Sequence, residues 1–314
     1  MILVVSDVFD AHADLVCSQL NKAFFRLNLD IASLQNTSLS FDGEKWEIIF
    51  QDSKIKSTEI SCIWFRRAFV ELNSQEYELQ NDIHFRLFKN EWNAILNGLW
   101  AYLKKIPALN PLKEAYAGEN KFYQIMVAKE VGFQLPKMLV SNKKQQCINF
   151  LKQQKSIFKV FNQDFYLKNE KLKGIYTNII SQSDFDDFDA RQNPILLQEY
   201  VSKSYEVRYT FVENKHFVCK IDSQQSKIAN IDWRKYDLAH TPHEAIKPPE
   251  EIAMKVNLFS QQMGLKYGAI DFIVMPNNTW IFLEINCFGQ WMWIETLSGL
   301  NISHAIASWL DSYN

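Results

Sequence analysis

Ala269-Ile270-Asp271-Phe272-Ile273-Val274-Met275, then Pro276-Asn277-Asn278-Thr279, then Trp280-Ile281-Phe282-Leu283-Glu284-Ile285-Asn286, reads as two apolar strands joined by turn residues. A hairpin centred on Asn277-Asn278 sets Asp271 opposite Glu284, and Asn286, two residues further on, shares the face of Glu284. Opposed carboxylates repel, and burial in otherwise apolar strands costs more still. A bound cation reverses that sign. Three oxygen donors suit a hard ion such as Mg²⁺, which keeps waters and fills its shell with substrate phosphates. The competing account places both carboxylates on a solvated sheet face. The apolar character of the rest of both strands favours the metal.

The chain as a whole allows a substantial core. It has 314 residues, 47% of them hydrophobic, enough for two or three closely packed lobes. A net charge of -2 and a pI near 6.3 argue against general nucleic-acid binding. Cys17, Cys62, Cys147, Cys219 and Cys287 are far apart and contain no Cys-x-x-Cys pair, which argues against a disulfide framework or a zinc knuckle and fits a reducing cytoplasm. The N-terminal Met1-Ile2-Leu3-Val4-Val5-Ser6-Asp7 meets a charge at once and lacks a basic leader, so it reads as a first strand and not a signal peptide. No apolar run reaches membrane-spanning length.

Along the chain, residues 1–110 alternate strand and helix: a strand from Ile2 to Val5, an amphipathic helix from His12 to Arg26, a hairpin arm from Trp46 to Phe50, a buried strand Cys62-Ile63-Trp64-Phe65, and a long helix from about Glu76 to Leu103. Asn110-Pro111-Leu112 marks a boundary. Residues 111–200 then carry a helix with Lys121, a stop at Gly132, a helix from about Lys144 to Gln154, and a strand from Ser156 to Phe161 whose expected partner is Gly174 to Ile180. Residues 201–314 hold a strand from Tyr205 to Val212, its mate from Phe217 to Asp222, the acidic hairpin and a C-terminal helix from Ile302 to Leu310. The acidic run from Asp184 to Asp189 reads as the start of a surface helix.

Lys159 is the one charge in an apolar strand, either an edge-strand gatekeeper or a cation facing an interior cleft. Glu206 and Arg208 share a face of their strand, which allows either an intrastrand ion pair or a role on a phosphate. Arg66-Arg67 end a buried strand, where they either grip an acidic substrate or bridge the first lobe to the second. His240, His243 and Glu244 have metal-like spacing, but the intervening Pro242 and the lack of a third ligand make them structural. Cys287 has no histidine near it in sequence and is not read as a nucleophile.

The order Asn120-Lys121, Phe158-Lys159, Gln198-Glu199-Tyr200-Val201, Glu206-x-Arg208, Asp271 and Glu284-x-Asn286 resembles that of the ATP-grasp ligases. The resemblance implies an α/β ATP-grasp fold in which Lys121 and Lys159 hold ATP phosphates and the backbone from Glu199 to Val201, beside Gln198, reads adenine. It further implies that Glu206 bonds the ribose and that Asp271, Glu284 and Asn286 carry Mg²⁺. Arg208 with Lys159 would neutralise the phosphate in transfer, consistent with catalysis by positioning and charge neutralisation. Over almost the whole chain, Asp10-Ala11-His12-Ala13-Asp14, Ile63-Trp64-Phe65-Arg66-Arg67, Ser223-Gln224, Asp232-Trp233-Arg234 and Ile285-Asn286-Cys287-Phe288-Gly289-Gln290-Trp291 look like the microviridin-type peptide maturases, the graspetide synthetases.

That closer resemblance implies a pre-ATP-grasp lobe over 1–110, a central ATP-grasp lobe over 111–200 that docks a leader peptide, and a C-terminal ATP-grasp lobe over 201–314. The partner implied is a ribosomal precursor peptide whose Asp or Glu side chains are phosphorylated and closed onto Ser, Thr or Lys as ω-esters or ω-amides; Arg66, Arg67, Asp232 and Arg234 would contact it. Neither nucleic acid nor membrane is expected as a partner, and a homodimer is compatible with these features. Two departures from the family pattern, Cys287 and Ala68 where proline is usual, change no charged group. Residues 162–173, expected over the phosphates, contain no glycine, which points to a contact unlike that of a glycine-rich flap. Two other readings remain: a ligase that adds an amino acid to a protein or small acid, and a nucleotide sensor without ligation. Retention of Arg208 and three metal residues speaks against the sensor.

Overall fold

Alternation along the first strand decides how the N-terminal part packs. Leu3 and Val5 point to one side of Ile2–Ser6 and join the core beneath the helix Ile83–Leu103; Ile2 and Val4 point to the other. A strand buried on both faces belongs inside a parallel sheet. The computed structural model, which describes residues 1–71, 82–161, 165–168, 171–174, 177–185, 193–225 and 241–313, shows such a sheet, with strands ordered Phe24–Asn28, Ile2–Ser6, Cys62–Phe65, Ala108–Leu109. A three-stranded antiparallel sheet, Thr37–Phe41, Trp46–Phe50 and Ser53–Lys56, adjoins it.

Several sequence expectations need correction here. The helix expected from His12 to Arg26 stops at Cys17, and Phe24–Asn28 is a strand paired with Ile2–Ser6. Burial of Phe25 and Leu27 in the sheet core outweighs the helical spacing of the apolar residues before them. The long helix begins at Ile83, where Asp82 caps it by accepting from Phe85 N; residues 72–81 lie outside the described residues. Of the acidic run, Ser183–Phe185 is one 3₁₀ turn with Phe185 buried against a small core, and 186–190 lie outside the described residues.

The next sheet is antiparallel, ordered Asn178–Ile180, Ser156–Lys159, Ile195–Glu199, Met138–Ser141, with the helix Lys144–Gln153 against it. The expected mate of the Lys159 strand is thus shorter than predicted. Lys171–Gly174 pairs instead with Phe165–Lys168 in a separate hairpin. A five-stranded antiparallel sheet follows, ordered His243–Ala245, Lys215–Ile221, Tyr205–Val212, Tyr267–Val274, Trp280–Asn286. Its inner face packs on the helices Lys121–Glu130 and Glu250–Met263 through Phe133, Phe259, Phe272 and Phe282.

The C-terminal helix Ile302–Asp311 crosses the expected lobe boundaries. Ile302, Ile306 and Leu310 lie in one core with Ile2, Val4, Cys62 and Trp64 of the parallel sheet and with Val212, Cys219 and Tyr267 of the five-stranded sheet. Its apolar residues run nearly all round, as a helix buried between two layers requires. No described helix is long and apolar enough to cross a membrane.

Candidate active site

The acidic hairpin forms as expected, and its strand Tyr267–Val274 is buried along its whole length. Asp271 faces Glu284 across the pair, but by two compensating offsets. Val274 pairs with Trp280, so the turn is centred on Asn277; a bulge then leaves Leu283 as an extra residue, and beyond it Asp271 meets Glu284, Ile270 meets Ile285 and Ala269 meets Asn286. Asp271 is 8% exposed, which removes the solvated-face account.

The carboxylates, buried at Asp271 and Glu206 and half-buried at Glu284, carry cationic partners. Asp271 Oδ1 accepts from Arg208 Nη1 at 2.9 Å, and Asp271 and Arg208 are register neighbours in the sheet. Burial works against the charge on Arg208, but the Asp271 carboxylate outweighs it and holds the pKa above the ordinary arginine value. Glu284 Oε2 lies 2.5 Å from Lys121 Nζ. Glu206 Oε1 lies 2.5 Å from Lys203 Nζ. Glu206 and Arg208 therefore engage other groups and do not form the intrastrand pair that their spacing allowed.

Lys121 reaches Glu284 because its helix start is locked to the hairpin. Asn120 caps the helix, accepting from Phe122 N and Tyr123 N, so Lys121 is its first residue. One turn on, the Gln124 side-chain amide acts as a substitute strand: its Oε1 accepts from Ile285 N at 3.1 Å, while its Nε2 donates to Ile285 O at 2.9 Å and to Gly118 O at 2.7 Å. Glu119 adds a second tie, Oε1 accepting from Cys287 N at 2.6 Å; burial first, then the Glu284 charge, raises its pKa. A proline at 287 would remove that donor.

Opposite the hairpin, Lys159 ends its strand and Gln198 and Glu199 end the neighbouring one. A single cleft between the two antiparallel sheets is lined by Lys159, Gln198, Glu199, Tyr200, Val201, Glu206, Asp271 and Glu284, together with Ile157, Thr177, Lys203, Ile273 and Leu283. The amides of Glu199 and Tyr200 already donate to the carbonyls of Lys137 and Lys155, both at 2.8 Å. Gln198 Oε1 and Arg208 Nε are buried without a hydrogen-bond partner among the described residues.

Two carboxylates and an amide at adjoining register positions form an all-oxygen donor set that fits Mg²⁺, which takes few protein ligands. The described residues hold no group of three or more His, Cys, Asp and Glu suited to a metal.

Arg66 and Arg67 sit beyond the carboxyl ends of Ile2–Ser6 and Cys62–Phe65, where the strand order of the parallel sheet reverses. Arg66 Nε donates to Asp10 Oδ2 at 3.0 Å and its Nη1 to Phe288 O at 3.2 Å, so it bridges the first lobe to the segment after the hairpin; Arg67 Nη1 donates to Asp7 Oδ2 at 2.9 Å. Asp232, Arg234 and His240 lie outside the described residues. His243 packs edge-on against Trp293. Cys287 is buried beside Gly118, and burial followed by the Glu119 charge raises its thiol pKa, which is unfit for a nucleophile.

Lys203, Gln124 and Glu119 escaped the sequence reading. Lys203 precedes the strand of Glu206 by two residues and had a legible signal, a cation three residues from the Glu206 carboxylate. Gln124 and Glu119 had none, since their partners on and just after the hairpin are more than 160 residues away.

This constellation defines an ATP-dependent carboxylate ligase of the ATP-grasp class, whose cofactors are ATP and Mg²⁺. Residues 118–310, well over half of the chain, match the RimK-like ATP-grasp domain, and the chain belongs to that family. It is similar in structure to a Chryseobacterium gregarium RiPP-associated ATP-grasp ligase in complex with ADP and a leader and core peptide, at 25% identity and TM-score 0.86, over 99% of this chain and 96% of that one. The macrocyclases MdnC, bound with precursor peptide MdnA, and MdnB, both from Microcystis aeruginosa, match at 24% and 25% identity with TM-scores of 0.83 and 0.79. MdnC is covered to 99% by 99% of this chain, and MdnB to 98% by 98%. No curated protein matches the sequence.

Proposed function

We propose that the protein is a macrocyclising peptide ligase, which phosphorylates Asp or Glu side chains of a ribosomally made precursor peptide and closes ω-ester or ω-amide links onto Ser, Thr or Lys of the same peptide. The observation that carries this reading is the reach of the likeness to the Chryseobacterium gregarium ligase. It takes in the residues before 118, outside the RimK-like span, and that ligase holds ADP with leader and core peptide.

In this reading Val201 offers its amide to adenine, since those of Glu199 and Tyr200 are already used, and Glu206, held by Lys203, takes the ribose hydroxyls. Lys159, on the cleft wall, and Lys121, paired with Glu284 of the opposite wall, take the phosphates. Asp271, Glu284 and Asn286 would hold Mg²⁺, which supplies charge neutralisation on the phosphate oxygens. Arg208, fixed by Asp271, presents a permanent cation where the γ-phosphoryl group passes to the substrate carboxylate. The hydroxyl or amine of the same peptide then attacks the acyl phosphate, phosphate leaves, and the rate comes from holding donor and acceptor together. Arg67, at the switch point of the parallel sheet, and Asp232 with Arg234 serve the acidic peptide, while Arg66 beside them holds the segment after the hairpin. Residues 111–200 dock its leader, and the work is cytoplasmic.

The test is mass spectrometry of an acidic precursor peptide, encoded beside this gene, after incubation with enzyme and Mg²⁺-ATP. The expected product is one water lighter per link and resists exopeptidase within the ring. A gain equal to an added amino acid would replace this reading with the intermolecular ligase. An unchanged peptide alongside tight ATP binding would replace it with the nucleotide sensor.

A further inference from the structure

Resting on the ligase reading for what Arg208 does, we infer that Asp10, His12 and Arg66 of the N-terminal lobe are positioning residues for Arg208, acting through the backbone of residues 288–292.

The segment leaving the metal hairpin is held at every residue. Cys287 N donates to Glu119 and its carbonyl accepts from Asn110 Nδ2; Phe288 O accepts from Arg66, Gly289 O from Tyr267 at 2.6 Å, and Gln290 O from Arg208 Nη2 at 3.2 Å. Burial pushes Tyr267 up to about 12, so its hydroxyl stays a donor. The amides of Trp291 and Met292 both donate to His12 Nε2 at 3.3 Å. These amides open the helix Met292–Ser298, which has no side-chain cap of its own, so a residue about 280 positions away in sequence supplies the acceptor.

His12 can accept at Nε2 because Asp10 takes its other nitrogen, with Oδ1 3.3 Å from Nδ1, which sets the Nδ1–H tautomer. Asp10 also caps its own helix through the amides of His12 and Ala13, and its second oxygen receives Arg66. Burial alone would raise the Asp10 pKa. The His12 hydrogen bond, the Arg66 charge and the Ala13 amide outweigh it and hold the carboxyl far below the usual range. The trio is thus a rigid charged bracket that grips Phe288 on one side and Trp291 on the other.

Between those grips lie Gly289 and Gln290, in contact with the guanidinium. A Cβ on Gly289 would fall 2.9 Å from Arg208 Nη2 and 2.8 Å from Ala269 Cβ, so the Gly289 backbone packs directly against the arginine. Asp271 fixes one end of the fork and Gln290 O fixes the other. Losing the bracket frees the second end.

The experiment follows the Nε–H resonance of Arg208 in protein labelled with ¹⁵N-arginine, assigned by its disappearance in Arg208→Lys. His12→Ala and, independently, Arg66→Gln are expected to shift or broaden it, His12→Gln to restore it by keeping an acceptor, and His304→Ala on the C-terminal helix to leave it alone. In ADP release from Mg²⁺-ATP, His12→Ala is expected to lower kcat about tenfold with the KM for ATP within about twofold, and to cost nothing further in an Arg208→Lys background. An unmoved Arg208 resonance in folded His12→Ala and Arg66→Gln would overturn the inference, as would a full tenfold loss repeated in the Arg208→Lys background. The resonance is read without turnover, so it tests the bracket even if the ligase reading fails.

Discussion

At the scale of single residues, the cleft is a set of buried and half-buried charges held in pairs: Asp271 with Arg208, Glu284 with Lys121, Glu206 with Lys203. Removing one member while keeping its volume separates chemistry from folding. Glu284→Gln is expected to leave a folded protein and to lower Mg²⁺-dependent ATP hydrolysis by at least on the order of tenfold, the loss seen even for outer groups of metal sites. Hydrolysis at the wild-type rate with excess Mg²⁺ would take the metal away from this hairpin. Lys159→Met deletes a charge but keeps the stem, and a charge-assisted bond to phosphate is worth roughly 1.5–3 kcal/mol. Calorimetry should therefore show ATP binding weakened about tenfold or more. Equal affinity would remove Lys159 from the nucleotide site. Both residues were legible in sequence as charges out of place in apolar strands. Lys203 was overlooked because a lysine before a strand looks like surface until its side chain is seen to be 4% exposed.

At the scale of elements, the acidic hairpin depends on its turn. Asn278 sits at φ 62°, in the left-handed region, with Asn278 N donating to Met275 O and Thr279 N to Asn277 Oδ1. Asparagine tolerates that conformation, glycine adopts it freely, and a β-branched residue does not. Asn278→Gly should melt at or slightly above the wild-type temperature, and Asn278→Val should lose about 1–2 kcal/mol by denaturant titration. An unaffected Asn278→Val would mean that the turn adjusts and does not set the register. The opposition of Asp271 and Glu284 was readable from strand composition and turn residues. The bulge at Leu283 was not, because one extra residue in an apolar strand leaves no mark in its composition.

At the scale of the whole molecule, the helix Ile302–Asp311 joins what the sequence divides. Its buried face touches both the parallel sheet and the five-stranded sheet, so these parts should unfold together. Ile306, fully buried in that shared core, tests this: Ile306→Ala should cost about 2–5 kcal/mol and displace one common transition followed by far-UV and tryptophan signals. Two transitions, only one of them displaced, would show that the N-terminal lobe stands alone. The sheet carrying Lys159 has a separate small core around Cys147, Phe185, Ile195 and Leu197. It shares the cleft with the larger unit and little of its core.

The order of cations and carboxylates marked the ATP-grasp ligases by resemblance; local order alone determined the α/β class and the acidic hairpin. Each is written in neighbouring residues, through strand alternation, turn chemistry and charges stranded in apolar runs. Tertiary structure decided the rest. Phe24–Asn28 became a strand because a parallel neighbour offered its backbone partners and its side chains a core. Gln124 became part of the site because no described strand pairs with the outer edge of Trp280–Asn286 at Ile285. Arg66 became a bridge and His12 a cap because the chain returns, more than 220 residues later, to bring bare carbonyls and amides within reach. Partners that distant have no spacing a sequence can show; only the closing of the fold pairs them.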